Sequence, residues 1–209
     1  HVSIEPNGIE RRMEAGLTPD ADGIIARIGS QAAADWLKAA RRPVVNVSSI
    51  KLEGVDFPRV ITHQAASAKV AVDLFRGRGF THIAYVGNPA AGYVQVQFSH
   101  YAAMLAEHGH PCAFFAESDN EKKLVRWLRE LPKPCGVFCW GPGIGRQVID
   151  ACHDNGIRVP DNVAVLGSDF DDLLSRASHP PQSGVRYACE RIGGIAAALL
   201  GRLMRGEKI

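Results

Sequence analysis

The stretch Gly141-Pro142-Gly143-Ile144-Gly145-Arg146 comes nearest to a phosphate-binding turn, because it follows an apolar run and opens a helical pattern. A dinucleotide fingerprint requires G-x-G-x-x-G, whose glycines let the backbone approach a pyrophosphate. Counted from Gly141 the last position is Arg146, and from Gly143 it is Val148. Pro142 also removes an amide that would face the anion. The stretch therefore reads as a tight strand-to-helix turn. No Gly-Lys-Ser/Thr triplet occurs, which excludes a P-loop. Cys135 and Cys139 stand four apart within an apolar run, no C-x-x-C occurs, and His108-Gly109-His110 reads as a solvated pair at a turn, so no metal site is expected. A G-x-S-x-G elbow is absent too. Neither an enzyme nor a cofactor is expected from these residues.

The remaining polar side chains that could contact a ligand gather where apolar runs end. His63 and Gln64 follow one run, Asn88 a second, Trp140 a third and Ser168-Asp169 a fourth. In open α/β sheets, ligands bind in the crevice beyond the carboxyl ends of the strands. Asp169 is the sharpest of these residues, a carboxylate able to accept two hydroxyl hydrogen bonds. Its competing role is to cap the next short helix, a task Asp171 or Ser168 could share. Trp140 either stacks on an apolar ligand face or packs between elements. His63 either donates to a ligand or is a satisfied loop histidine.

These positions need strands and helices to hold them. Apolar runs occur at Val2–Glu5, Gly23–Ile28, Pro43–Val47, Val60–Thr62, His82–Gly87, Cys112–Ala116, Cys135–Trp140 and Val163–Gly167. Ile83-Ala84-Tyr85-Val86 and Val163-Ala164-Val165-Leu166 are apolar at every position, as expected of strands covered on both faces in a parallel sheet. Helical spacing appears at Ala68, Ala71, Val72 and Phe75, closed by Arg76, Arg78 and Gly79. It recurs at Leu124, Leu128 and Leu131, at Ile144, Val148, Ala151 and Cys152, and from Ala188 to Leu203. Alternating strands and helices with short junctions predict right-handed βαβ units. Pro180-Pro181 can continue neither a helix nor a central strand, so the chain leaves its sheet there. The expected architecture is α/β, two doubly wound parallel-sheet lobes that exchange segments: 1–79 with 185–209, and 80–184.

Composition agrees. The 209 residues are 46% hydrophobic and 22% charged, enough for a real core, and no apolar run reaches the ~18 residues a membrane helix needs. A net charge of +2 gives no basic surplus for gripping DNA with this chain alone. Five cysteines, mostly within apolar runs, suit reduced thiols in a cytoplasmic protein. The chain begins without Met or a leader pattern and stops just past a helical pattern, so it reads as a fragment.

The motifs, in order, resemble the effector-binding domain of LacI/GalR-type repressors, built like a type I periplasmic sugar-binding protein. Asp22-Gly23-Ile24-Ile25 is similar to its third strand, and Val60 through Gly79 to Gly87 to its first crossing. Gly156-Ile157-Arg158-Val159-Pro160-Asp161-Asn162-Val163 through Asp169 is similar to its most recognisable signature. Pro180-Pro181 and Glu190-Arg191-Ile192-Gly193 resemble the return crossing and a last helix. His100-Tyr101-Ala102 and Val148–Cys152 are most similar to xylose-operon regulators of the XylR type, in the AraC family.

The resemblance implies a sugar-sensing domain of a bacterial transcriptional regulator, whose lobes close on a pentose or other sugar. DNA binding would then belong to a module outside this chain, in a homodimer that uses no membrane. It places Asp169, Trp140, Phe170 and Ser99 on one side of the ligand and His63, Arg27 and Ser30 on the other. Compared with the family, an Asp near His63, an Arg near Ser99 and a polar pair at Gly141-Pro142 are replaced. Each charged hydrogen bond contributes about 1.5–3 kcal/mol, so these changes imply a different ligand and not only a different affinity. The alternatives are a periplasmic sugar-binding protein of a transport system and a fold kept only for dimerisation.

Overall fold

The computed structural model describes residues 2–5, 8–17, 19–116 and 120–209. The chain runs α1 (Glu10–Glu14), β1 (Ile24–Ala26), α2 (Gln31–Ala39) and β2 (Val44–Asn46). It continues as α3 (Gln64–Gly77), β3 (His82–Gly87), α4 (Gly92–Glu107), β4 (Cys112–Ala116), α5 (Glu121–Glu130) and β5 (Cys135–Cys139). It ends with α6 (Gly141–Asp154), β6 (Val163–Gly167), α7 (Asp172–Ala177), β7 (Ser183–Gly184) and α8 (Cys189–Met204). Two compact units result: His1–Thr62 with Ala188–Ile209, and His63–Tyr187.

In the smaller unit, β1 and β2 pair in parallel, Ile24 opposite Val44. The buried core is Ala26, Ile28, Ala33, Ala34, Leu37 and Val44, and α8 packs on both strands. Asn46, buried at the end of β2, fixes the exits of both strands: its Oδ1 accepts from Ile28 N (3.3 Å) and Ser48 N (2.8 Å). The expected strands at Val2–Glu5 and Val60–Thr62 do not form. Residues 2–5 carry no strand pairing, and near Val60 a single bridge joins Asn46 to Arg59.

The larger unit holds a five-stranded, wholly parallel sheet in the order β4-β3-β5-β6-β7. β3 and β5 are buried on both faces, which is why their sequences show no polar alternation. Ile83, Tyr85 and Phe138 face one core with Ala68, Ala71, Val72 and Phe75 of α3 and Val94, Tyr101 and Leu105 of α4. Ala84, Val86, Val137 and Cys139 face the other, with Leu124, Val125 and Leu128 of α5 and Val148, Ala151 and Cys152 of α6. Aromatic rings fill the first core: Tyr85 meets Phe98 at 5.3 Å and Phe138 at 5.6 Å between centroids. Gly136 lets Phe75 lie against the sheet, since a Cβ there would come within 2.4 Å of that ring.

The second core also contains three buried thiols, Cys135, Cys139 and Cys152, all without a disulfide partner. Burial pushes Cys139 well above the usual thiol range and Cys152 up to about 12.

The units divide at 62/63 and 187/188, whereas the sequence reading set the crossings at 79/80 and 184/185. The first difference has a packing cause. Helix α3 sends Ala68, Ala71, Val72 and Phe75 into the core of the larger sheet, so residues 63–79 go with that unit.

Candidate functional site

The order of the larger sheet reverses at β3: the chain moves outward from β3 to β4, then crosses back to β5 on its other side. Such a switch point opens a crevice at the strand carboxyl ends. The ladder there continues past the strands themselves. Trp140 N donates to Val86 O (2.8 Å), Ser168 N to Cys139 O (2.7 Å) and Val185 N to Gly167 O (3.0 Å). Backbone pairing thus fixes where Trp140, Ser168-Asp169 and Val185-Arg186 emerge.

Asp169 is half-buried just beyond β6, and its Oδ1 accepts from Phe170 N at 2.7 Å. The capping role belongs to its neighbour, because Asp171 Oδ1 accepts from Leu174 N at 2.8 Å and starts α7. Ser168 is used elsewhere: its buried Oγ accepts from Gly141 N at 2.8 Å, tying β6 to the first turn of α6. Gly184 lets β7 lie tight on this turn, since a Cβ there would stand 2.4 Å from Asp169 O. Phe170 is half-buried, with the Arg186 guanidinium 4.5 Å from its ring centroid.

Trp140 is half-buried with its ring 5.0 Å from that of Tyr93. Gly141 after it has φ 75°, a left-handed conformation that glycine adopts without strain, so the stretch is the tight strand-to-helix turn read from the sequence. His63 is exposed and caps α3, its Nδ1 accepting from Ala66 N at 3.1 Å. With Nδ1 accepting, the neutral ring carries its proton on Nε2, which is left as a donor.

Ser99 is exposed on α4. It lies about 200° around the helix from Gln97, so it is turned away from the stripe Val94, Gln97, Tyr101 and Leu105 that α4 buries. Arg27 and Ser30 are in the smaller unit. Both are exposed, and Ser30 caps α2 by accepting from Ala33 N at 3.2 Å. Trp140 and Ser168-Asp169-Phe170 therefore follow the ends of neighbouring strands of the larger unit, and His63 starts α3.

A buried polar network escaped the sequence reading. Gln97, fully buried, accepts from Tyr85 Oη at 3.0 Å and donates to Gln64 Oε1 at 3.0 Å and Ser67 Oγ at 3.4 Å. The Tyr187 hydroxyl is enclosed beside Ser168, Ser67 and Gln97 without a hydrogen bond of ordinary geometry, and burial raises its phenol above the usual range. The available signal was a glutamine at an inward position, four residues before Tyr101 and three after Val94. Among the described residues, no three His, Cys, Asp or Glu side chains cluster as a metal site requires.

A family model for the periplasmic binding protein-like domain matches residues 72–209. The chain is 25% identical over 202 residues to a xylose operon regulatory protein of Haemophilus influenzae, covering 90% of this chain and 52% of that protein. It is 25% identical over 217 residues to the HTH-type transcriptional regulator GntR of Escherichia coli, covering 100% of this chain and 65% of that protein. Among solved structures it is similar to a xylose-binding transcription activator, XylR, with a TM-score of 0.81 at 21% identity. That match covers 97% of this chain and 60% of the other. The chain thus spans between half and two thirds of the length of these relatives.

Proposed function

Since the chain belongs to the family of periplasmic binding protein-like domains, we propose that it is the effector-sensing part of a bacterial transcriptional regulator. Its effector is a sugar bound at the strand ends of the larger unit. One observation carries this reading: Asp169 stands half-buried at the end of β6, free of the capping role that Asp171 fills, with Oδ2 available to hydroxyl groups. Trp140 offers an aromatic face to the apolar side of a sugar ring, and His63 Nε2 offers a donor. Relatives named as transcription regulators support this reading over a transport protein. No described helix is long and apolar enough to cross a membrane. We extend the proposal to a cytoplasmic homodimer whose DNA-binding module lies outside these residues.

A ligand shifts a conformational equilibrium only by its differential affinity for the two states. Coupling of this kind is typically ~1–3 kcal/mol, a 5–150-fold change in DNA affinity. The test is calorimetry on Asp169→Ala. Sugar binding is lost in the variant while the melting temperature of the unliganded protein stays put. Unaltered sugar affinity removes Asp169 from the site.

A further inference from the structure

We propose that Tyr187 is a latch on the crossing at 187/188: its hydroxyl, unpartnered in this structure, bonds the Ser168 hydroxyl in a second position of the segment 186–188. Tyr187 is the last residue of the larger unit, and the chain passes to the smaller unit at Ala188. The backbone is pinned just upstream, where Val185 N donates to Gly167 O at 3.0 Å, and is taken up again by α8 from Cys189. Between these points the N–H groups of Arg186, Tyr187 and Ala188 bond to no other backbone group among the described residues. Side chains hold the segment instead: the Tyr187 ring packs against the first core, and Arg186 lies over Phe170. A stretch with so few backbone bonds shifts at low cost.

Two enclosed hydroxyls beside each other are short of partners. That of Tyr187 lies next to Ser168, Ser67 and Gln97 and bonds to none of them. Ser168, 1% exposed, accepts from Gly141 N at 2.8 Å, and its own hydrogen goes to no acceptor among the described residues. A hydroxyl is donor and acceptor at once, and nearly all buried ones are paired. One bond between these two repairs both. The other neighbours have less to gain. Both hydrogens of the Gln97 amide are spent on Gln64 and Ser67, and its oxygen takes the Tyr85 hydroxyl. Ser67 is on α3, where a serine can turn its hydrogen to the carbonyl four residues back. Ser168 lies just past β6, outside any helix, and lacks that outlet. The latch stands on these hydroxyls and not on sugar sensing. Where sensing holds, Asp169 follows Ser168 in the chain, so an effector on that carboxylate acts one residue from the latch.

The experiment is fluorine NMR of the full-length protein labelled with 3-fluorotyrosine, without ligand. The signal lost in Tyr187→Phe is that of Tyr187. In the natural protein this signal reports two positions, as two lines or as microsecond-to-millisecond exchange seen by relaxation dispersion. Ser168→Ala reduces it to one position, and Ser67→Ala leaves both. Tyr187→Phe melts at the same temperature as the natural protein or higher, because the hydroxyl it removes has no partner in the main position. A single Tyr187 signal without exchange overturns the proposal, and so does a second position that persists in Ser168→Ala or that Ser67→Ala removes. A melting temperature lower by more than about 4 °C in Tyr187→Phe also overturns it, since the hydroxyl is then already bonded in the main position.

Discussion

The two units of this chain differ in how much structure stands behind their polar residues. In the smaller one, two strands of three residues each are covered by α8 and backed by a core of six buried side chains. A two-stranded sheet is marginal by itself. Its polar residues Ser30 and Asn46 are occupied with holding helix and strand ends in place. In the larger unit, five strands lie between two separate cores, and backbone pairing, with one side-chain tie from Ser168, fixes the strand ends. Asp169 can stay half-engaged because nothing in the fold needs its second oxygen. Spare polar capacity collects where the scaffold is already overdetermined.

The sharpest way to break this comparison is to hollow out the larger core. Phe138→Ala removes a fully buried ring that touches Tyr85 and Tyr101, and costs about 3–5 kcal/mol. Urea unfolding followed by tryptophan fluorescence measures it; a loss under 1 kcal/mol would mean that this core is not what steadies the strand ends. Next in size is Gly136→Ala, which drives a methyl group into the Phe75 ring and costs about 1–3 kcal/mol. Pairing it with Phe75→Leu recovers part of the loss if the clash is the cause. Smallest is Asp171→Ala, which removes the α7 cap for about 1 kcal/mol and leaves sugar affinity unchanged. Set beside Asp169→Ala, it separates two aspartates two residues apart by role, and an Asp171 variant that lost sugar binding would merge them.

Much of the larger unit was legible because its strands are buried twice over. Ile83-Ala84-Tyr85-Val86 alternates between two cores and so can afford no polar position. Helices α3, α5, α6 and α8 showed their apolar spacing plainly. Helix α4 did not, because Val96, Phe98 and Met104 make it apolar on faces beyond its buried stripe, which blurs the period. The runs at Val2–Glu5 and Val60–Thr62 look extended, but a strand exists only with a partner, and local pattern carries no information about partners. The crossing at 62/63 was misplaced for a related reason: the stripe on α3 reveals that a sheet is covered, not which sheet.

The candidate site divides in the same way. Asp169 and Trp140 could be named from position alone, since a polar residue just past an apolar run falls at a strand end. Ser99 was chosen by analogy of place, and helical geometry turns it outward two residues from the glutamine that points in. The Gln97 network joins Gln64, Ser67 and Tyr85 from three elements, a convergence that becomes visible only when those elements are assembled.

The sulfur atoms follow a similar partition. Behind β5 they are kept neutral and walled off from oxidants, so they cannot serve as nucleophiles at ordinary pH. Cys189, at the opening of α8, is the one exposed thiol. The thiol most open to solvent oxidants therefore lies in the smaller unit, away from the three buried behind the sheet that carries the candidate site.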